Sequence, residues 1–218
     1  MASSSKGTRA WRWWAAAVVL VALIVATLIF TRPPSKYSGP EGAPRVLVVG
    51  DSITVLSTGA IRQTLGSKAR LRIEAQFGKR TDEMVSRLKS GIDDPAGKPA
   101  AIIINLGTND ALQKRPTAEA DYLNLVHAAE KAPCIVLTTV NVQGDPAGGE
   151  VVRRLNAMTN SIAAGNPKVR VADWQQIITS NPQLLLPNDQ VHPGVEGSQA
   201  LADLYARTLS GCPNHPVA

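Results

Sequence analysis

Four short motifs in this 218-residue chain carry groups suited to attack on an acyl carbonyl. Gly50-Asp51-Ser52 follows the apolar run 45–49, and Gly78 follows the run 71–76. Gly107-Thr108-Asn109-Asp110 follows the run 100–105, and Asp189-Gln190-Val191-His192-Pro193 stands near the end. Ser52 offers a hydroxyl nucleophile and His192 an imidazole base. Asp189, three residues before His192, is spaced to reach Nδ1 within one turn and leave Nε2 facing the nucleophile. Asn109 supplies a neutral amide that donates to an oxyanion without a charge to desolvate. Gly78, lacking a Cβ, offers a backbone N–H that can approach a substrate closely, and the Ser52 N–H makes a third donor. Together they suit an ester hydrolase or an acyl transferase.

Each residue also has a plainer reading. Ser52 suits a helix cap, Asn109 an Asx turn and Gly78 an ordinary loop glycine. Asp51 reads as a turn and cap residue that holds the serine loop, not as a triad member. Of the three histidines, His127 falls in a helical pattern and His215 in the C-terminal tail. His192 alone lies in a loop bounded by proline and glycine, where Pro193 and Gly194 also suit a helix start.

The elements that must position these groups alternate along the chain. Apolar strand-like runs at 46–49, 71–76, 101–105, 134–140 and 169–172 are separated by helical patterns near 54–65, 81–90, 117–131 and 148–164. A last helix lies near 195–210. Ile102-Ile103-Ile104 and Ile135-Val136-Leu137 are continuous apolar runs, as strands buried on both faces of a parallel sheet require. Five βα units predict an α/β fold, a three-layer α/β/α sandwich around a five-stranded parallel sheet. Ligands bind beyond the carboxyl ends of such strands. The first three motifs follow strands and the fourth precedes the last helix, so all four can meet on one rim.

The basic excess sits at the N-terminus. Residues 1–44 hold Lys6, Arg9, Arg12, Arg32 and Lys36 against Glu41, whereas residues 45–212 hold 18 Lys/Arg and 16 Asp/Glu. The near-balance of the latter gives no nucleic-acid footprint. Residues 14–30 carry no charge, Gly or Pro, and Trp11, Trp13 and Trp14 stand at one end. That pattern predicts a single N-terminal transmembrane helix behind a cytoplasmic basic segment, 1–13, with the rest exported. A cleaved signal peptide and a buried soluble helix are the competing readings, and Phe30-Thr31-Arg32-Pro33-Pro34 is a poor cleavage junction. Residues 31–44, with four prolines, read as an extended tether, 45–212 as the catalytic domain and 213–218 as a tail.

Cys134 opens the fourth strand and Cys212 follows the last helix, which runs back from the rim. Both belong at the opposite end of the sheet, where an oxidising compartment would join them as a disulfide; two buried free thiols are the alternative.

The ordered blocks Gly50-Asp51-Ser52, Gly78, Gly107-Thr108-Asn109-Asp110 and Asp189-Gln190-Val191-His192 resemble the four signature blocks of the SGNH hydrolases, also called GDSL esterases or lipases. The second block rests on one glycine, and Ile53 stands where the family often has Leu. The resemblance implies a flavodoxin-like sheet, Ser52 as nucleophile, His192 as base and Asp189 as its orienting carboxylate. It also implies an oxyanion hole from Ser52, Gly78 and Asn109, with no metal and no cofactor. The expected protein is a single-pass envelope esterase acting outside the cytoplasm on acylated small molecules, glycans or lipids, with short acyl groups favoured. Acyl transfer through the same intermediate, or a silent envelope-binding domain, are the rivals. Lys79, Arg80 and Gln143 lie in loops that either line the mouth of the site or are simply solvated.

Overall fold

Five parallel strands lie in the order β2-β1-β3-β4-β5, and their register places all five starts at one edge and all five carboxyl ends at the other. They are β1 (Arg45–Gly50), β2 (Arg70–Ala75), β3 (Ala101–Asn105), β4 (Ile135–Thr138) and β5 (Val169–Ala172). This computed structural model describes residues 35–141, 146–213 and 216–217. The anchor expected over 14–30, together with Gln143 and His215, lies outside the described residues. Among the described residues no helix is long and apolar enough to cross a membrane.

Strand side chains alternate between two cores, as a period of two demands. Leu47, Val49, Ile102, Ile104 and Leu137 face one layer, built from α2 (Thr81–Ile92), α4 (Ala118–Ala129) and α5 (Pro146–Gly165). Val46, Val48, Ile103 and Val136 face the other, built from α1 (Ser52–Leu65), α6 (Trp174–Ser180) and α7 (Val195–Ser210). The three-layer sandwich is therefore the observed fold. Its strand order reverses between β1 and β3, and such switch points open a crevice at the carboxyl ends.

Two short helices were absent from the sequence pattern, α3 (Thr108–Leu112) and α6. Five and seven residues make two turns or fewer, too little for an amphipathic period to register. The strand expected over 134–140 is shorter, because the chain leaves the sheet at Thr139 to meet Asp173 and Asn156.

Both ends of the domain differ from expectation. Lys36–Ala218 forms one compact unit, so most of the expected tether belongs to the domain. Tyr37 is buried, its hydroxyl donating to the Gly91 carbonyl, and Ser38 exchanges backbone hydrogen bonds with Leu71 on the open edge of β2. A single bridged residue leaves no periodicity in a Pro/Gly-rich stretch. At the other end Val217 is buried in the core that contains α7, where a loose tail was expected. Cys134 and Cys212 form the expected disulfide at the starting edge of the sheet, with a Cα–Cα distance of 5.7 Å.

Candidate active site

Ser52 is the first residue of α1, directly beyond β1. The cap of that helix is Asp51, whose Oδ1 accepts the Ile53 N–H at 3.0 Å, so the serine hydroxyl is not consumed as a cap. Gly50 makes the turn possible, because a Cβ there would lie 1.9 Å from the Thr54 hydroxyl. Asp51 is wholly buried, and burial pushes its carboxyl up to about 7, against the opposing pulls of the Ile53 N–H and the Thr108 hydroxyl. Thr108 lies close enough to lower the value, yet Oδ2 closes no hydrogen bond.

The histidine arrives on a loop pinned at several points. Leu185 bridges Pro193, the Leu186 N–H donates to the His192 carbonyl, and the Gly194 N–H donates to Leu184. Leu185 and Val191 are buried and moor this loop to the core. Inside it, Asp189 Oδ1 accepts the backbone N–H groups of Val191 and His192, each at 2.9 Å. Closing that turn puts Gln190 in the left-handed region, at φ 54, which costs a non-glycine residue about 1–2 kcal/mol. Asp189 Oδ2 then lies 2.8 Å from His192 Nδ1, and His192 Nε2 lies 2.8 Å from Ser52 Oγ. A carboxylate on Nδ1 holds that proton and leaves Nε2 as the acceptor for the serine proton. Partial burial pulls the Asp189 carboxyl upward, but the two N–H groups and the imidazole outweigh it and hold it below the usual range.

The candidate oxyanion donors come from neighbouring loops. Gly78 lies beyond β2 at φ +70, a conformation that L side chains rarely adopt. A Cβ there would meet nothing within 4 Å, so backbone conformation, and not contact with the surrounding protein, is what requires glycine. Asn109, in α3 beyond β3, donates through Nδ2 to the Lys79 carbonyl at 3.0 Å. An amide carries two N–H bonds, so a second remains for an oxyanion. Asp110 Oδ2 accepts both the backbone N–H and the hydroxyl of Thr81, at 3.0 and 2.9 Å. Asn109 and Asp110 thus tie the third motif to the loop of the second, a link the spacing did not disclose.

The cationic residues beside this loop are already paired. Lys79 meets Glu83, and Arg80 meets Asp82 and Glu83. Asp82, Asp110 and Asp121 bring carboxylate oxygens within 4.8 Å of one another, but Arg115 bonds two of them and Thr81 the third. These acids are therefore engaged by protein groups. On the other side of His192, Leu56, Leu186, Pro193 and Val195 line an open apolar trough between α1 and α7. Its residues come from three separated segments, so no local pattern marked it.

The model of the GDSL-like Lipase/Acylhydrolase family matches residues 48–200. The chain belongs to that family. It is a serine hydrolase of the SGNH type. The O-acetyltransferase OatA of Staphylococcus aureus is 27% identical over 164 residues, which are 75% of this chain and 24% of the relative. The chain thus spans about a quarter of the length of the curated relatives it matches. Among solved structures, the C-terminal catalytic domain of peptidoglycan O-acetyltransferase A from Streptococcus pneumoniae superposes with a TM-score of 0.66 at 23% identity. That match covers 78% of this chain and 97% of the other. A GDSL-like lipase from Bacteroides thetaiotaomicron gives a TM-score of 0.61 at 22% identity, over 75% and 86% of the two chains. At such identities these structures show a shared fold. Acyl-enzyme chemistry on the domain follows from the family, and Ser52, His192 and Asp189 form the hydroxyl–imidazole–carboxylate line suited to it.

Proposed function

We propose that the domain removes short acyl groups, acetyl above all, from ester-linked envelope glycans or lipids, outside a membrane in which residues 14–30 anchor it. The observation that carries the chemistry is the continuous line Ser52 Oγ, His192 Nε2, His192 Nδ1, Asp189 Oδ2, both links at 2.8 Å. Ser52 Oγ attacks the ester carbonyl while its proton passes to His192 Nε2. The oxyanion takes hydrogen bonds from the Ser52 and Gly78 N–H groups and from Asn109 Nδ2. Collapse breaks the ester C–O bond, and His192 returns the proton to the departing alcohol. Water, deprotonated by the same Nε2, then releases the acyl group and restores Ser52.

A second reading, supported by the similarity to OatA, keeps the first half and replaces water with a sugar hydroxyl. Chemistry at the enzyme is identical until that step, so the acceptor decides between them. The test uses p-nitrophenyl acetate and octanoate, with and without an amino-sugar oligosaccharide. Release of free acetate at the same rate with or without the sugar supports the hydrolase. Acetyl appearing on the sugar at the expense of free acetate supports transfer. Equal turnover by Ser52→Ala would remove both, and faster octanoate than acetate cleavage would overturn the short-acyl assignment.

A further inference from the structure

The edge of the sheet opposite the active site is cationic in a regular way. Each of β2 to β5 is preceded by an exposed lysine: Lys68 before β2, Lys98 before β3, Lys131 before β4 and Lys168 before β5. The fifth strand of the set, β1, opens on Arg45. Strand register brings these starts to one level, and the Ile135 N–H donates to the Lys168 carbonyl while Arg45 Nε donates to the Lys98 carbonyl. Among the described residues lysine ion pairing is confined to Lys79 with Glu83, on the catalytic rim. At the rim Arg80 and Arg115 are likewise neutralised by carboxylates. The cations beside the Gly78 loop are therefore paired, whereas Arg45 and the lysines before β2 to β5 have no ion pair among the described residues.

Within that edge Arg45, Lys98 and Lys131 line one cleft with Gly42, Pro44 and Pro133, and no acidic residue lines it. The nearby exposed carboxylates, Glu41, Asp93 and Glu130, stand outside this cleft. Three cations around a concavity, with two more lysines flanking it, complement a surface of closely spaced phosphates better than one small anion.

We infer that this edge rests on an anionic phospholipid surface, with Lys98 and Lys131 at its centre, so that the catalytic rim points away from the bilayer. The inference rests on the proposed membrane anchor. Between residue 30 and the first residue of the compact unit, Lys36, five residues intervene, and the six steps between them reach at most about 22 Å when fully extended. A domain on so short a leash meets the headgroups continually, and the face with unpaired cations is the one they attract. The strands, four to six residues long, set the rim about 20 Å above that edge, within reach of ester groups on a polymer outside the lipid.

The test uses the domain from residue 36 onward, which keeps both cores and the disulfide, and which corresponds in extent to the pneumococcal catalytic domain solved by itself. It is sedimented with vesicles of phosphatidylglycerol and phosphatidylcholine, or of phosphatidylcholine alone. Binding is expected only to the first, and 1 M salt, with a Debye length of about 3 Å, should abolish it. K98A/K131A should weaken partition about 25-fold, at roughly fivefold per lysine, with p-nitrophenyl acetate turnover unchanged. K114A/R153A removes the same charge from exposed sites elsewhere and should change partition by less than about twofold. Equal weakening by both pairs, binding to neutral vesicles, or binding to soluble polyphosphate with none to vesicles would each overturn the inference. Carbonate washing of membranes carrying the full chain tests the anchor separately. Release there defeats the anchor, while the vesicle result still judges the edge.

Discussion

Replacing Asp189 by Asn should cripple the enzyme while leaving its fold intact, and should do so at least as severely as replacement by Ala. The two side chains are nearly isosteric. The Asn carbonyl can keep both hydrogen bonds that Oδ1 now accepts from Val191 and His192, so the turn closes as before. Its amide, however, would present a donor to His192 Nδ1, where Oδ2 now accepts at 2.8 Å. That selects the tautomer protonated on Nε2, and Nε2 is the atom 2.8 Å from Ser52 Oγ that must accept the proton. A general base contributes about 10²–10⁴-fold, and an enforced wrong tautomer has cost about 10⁴ in a serine protease. The Asp189 side chain is 41% exposed, so water competes for Nδ1 and the expected loss in kcat is about 10³, near 4 kcal/mol. Asp189→Ala breaks the turn bonds and should lower Tm, but it leaves the imidazole free to choose either tautomer. Turnover of p-nitrophenyl acetate and thermal melts of the three proteins supply the comparison. If Asp189→Asn loses less than tenfold at unchanged Tm, or clearly outperforms Asp189→Ala, then Asp189 does not set the tautomer and the reasoning fails.

Three other outcomes follow from the same geometry. Asn109→Ala should reduce kcat by about 10²–10³ with KM little changed, as for loss of one oxyanion donor; a change confined to KM in steady-state kinetics would contradict that role. Asp51→Asn keeps the cap but removes a carboxyl raised from 3.8 to about 7 by burial. A raised carboxyl stabilises the fold below its unfolded pKa and loses that contribution as pH climbs toward 7. Denaturation at pH 4 and pH 8 should therefore show the variant gaining about 4 kcal/mol on the wild type, at about 1.36 kcal/mol per unit, and a pH-independent difference would refute the cause. Reducing Cys134–Cys212, which closes a span of 78 residues, should cost about 2–4 kcal/mol in urea denaturation under matched conditions, whereas identical midpoints would mean that the bridge constrains nothing.

Local chemistry made much of this protein legible. A buried strand shows itself by continuous aliphatic residues, as in Ile102-Ile103-Ile104, and a tight strand-to-helix turn by Gly50-Asp51-Ser52. The spacing of Asp189 and His192 is a one-turn geometry, so their pairing could be read without knowing where the loop goes. By contrast, the mooring of Asn109 and Asp110 to Lys79 and Thr81 joins residues about 30 apart, which spacing cannot express. Nor does composition disclose that Tyr37 and Ser38 close the edge of β2, because pairing with Leu71 depends on a neighbour supplied by the fold. The elevation of Asp51 likewise needs the surrounding core, since an identical carboxyl in water would titrate normally.

Sequence by itself determined the layers and marked the candidate nucleophile, base and carboxylate, because these follow from periodicity and residue chemistry; it left the cysteines open between a bridge and two free thiols. Tertiary structure alone decided the 140-residue closure of Ser52 onto His192, the pinning of the oxyanion loop, and the gathering of one cation per strand on the far edge. The physical reason is range. Backbone preferences and side-chain chemistry act within a few residues, whereas desolvation, hydrogen-bond closure and summed charge depend on which distant segments the packed sheet brings within ångströms of each other.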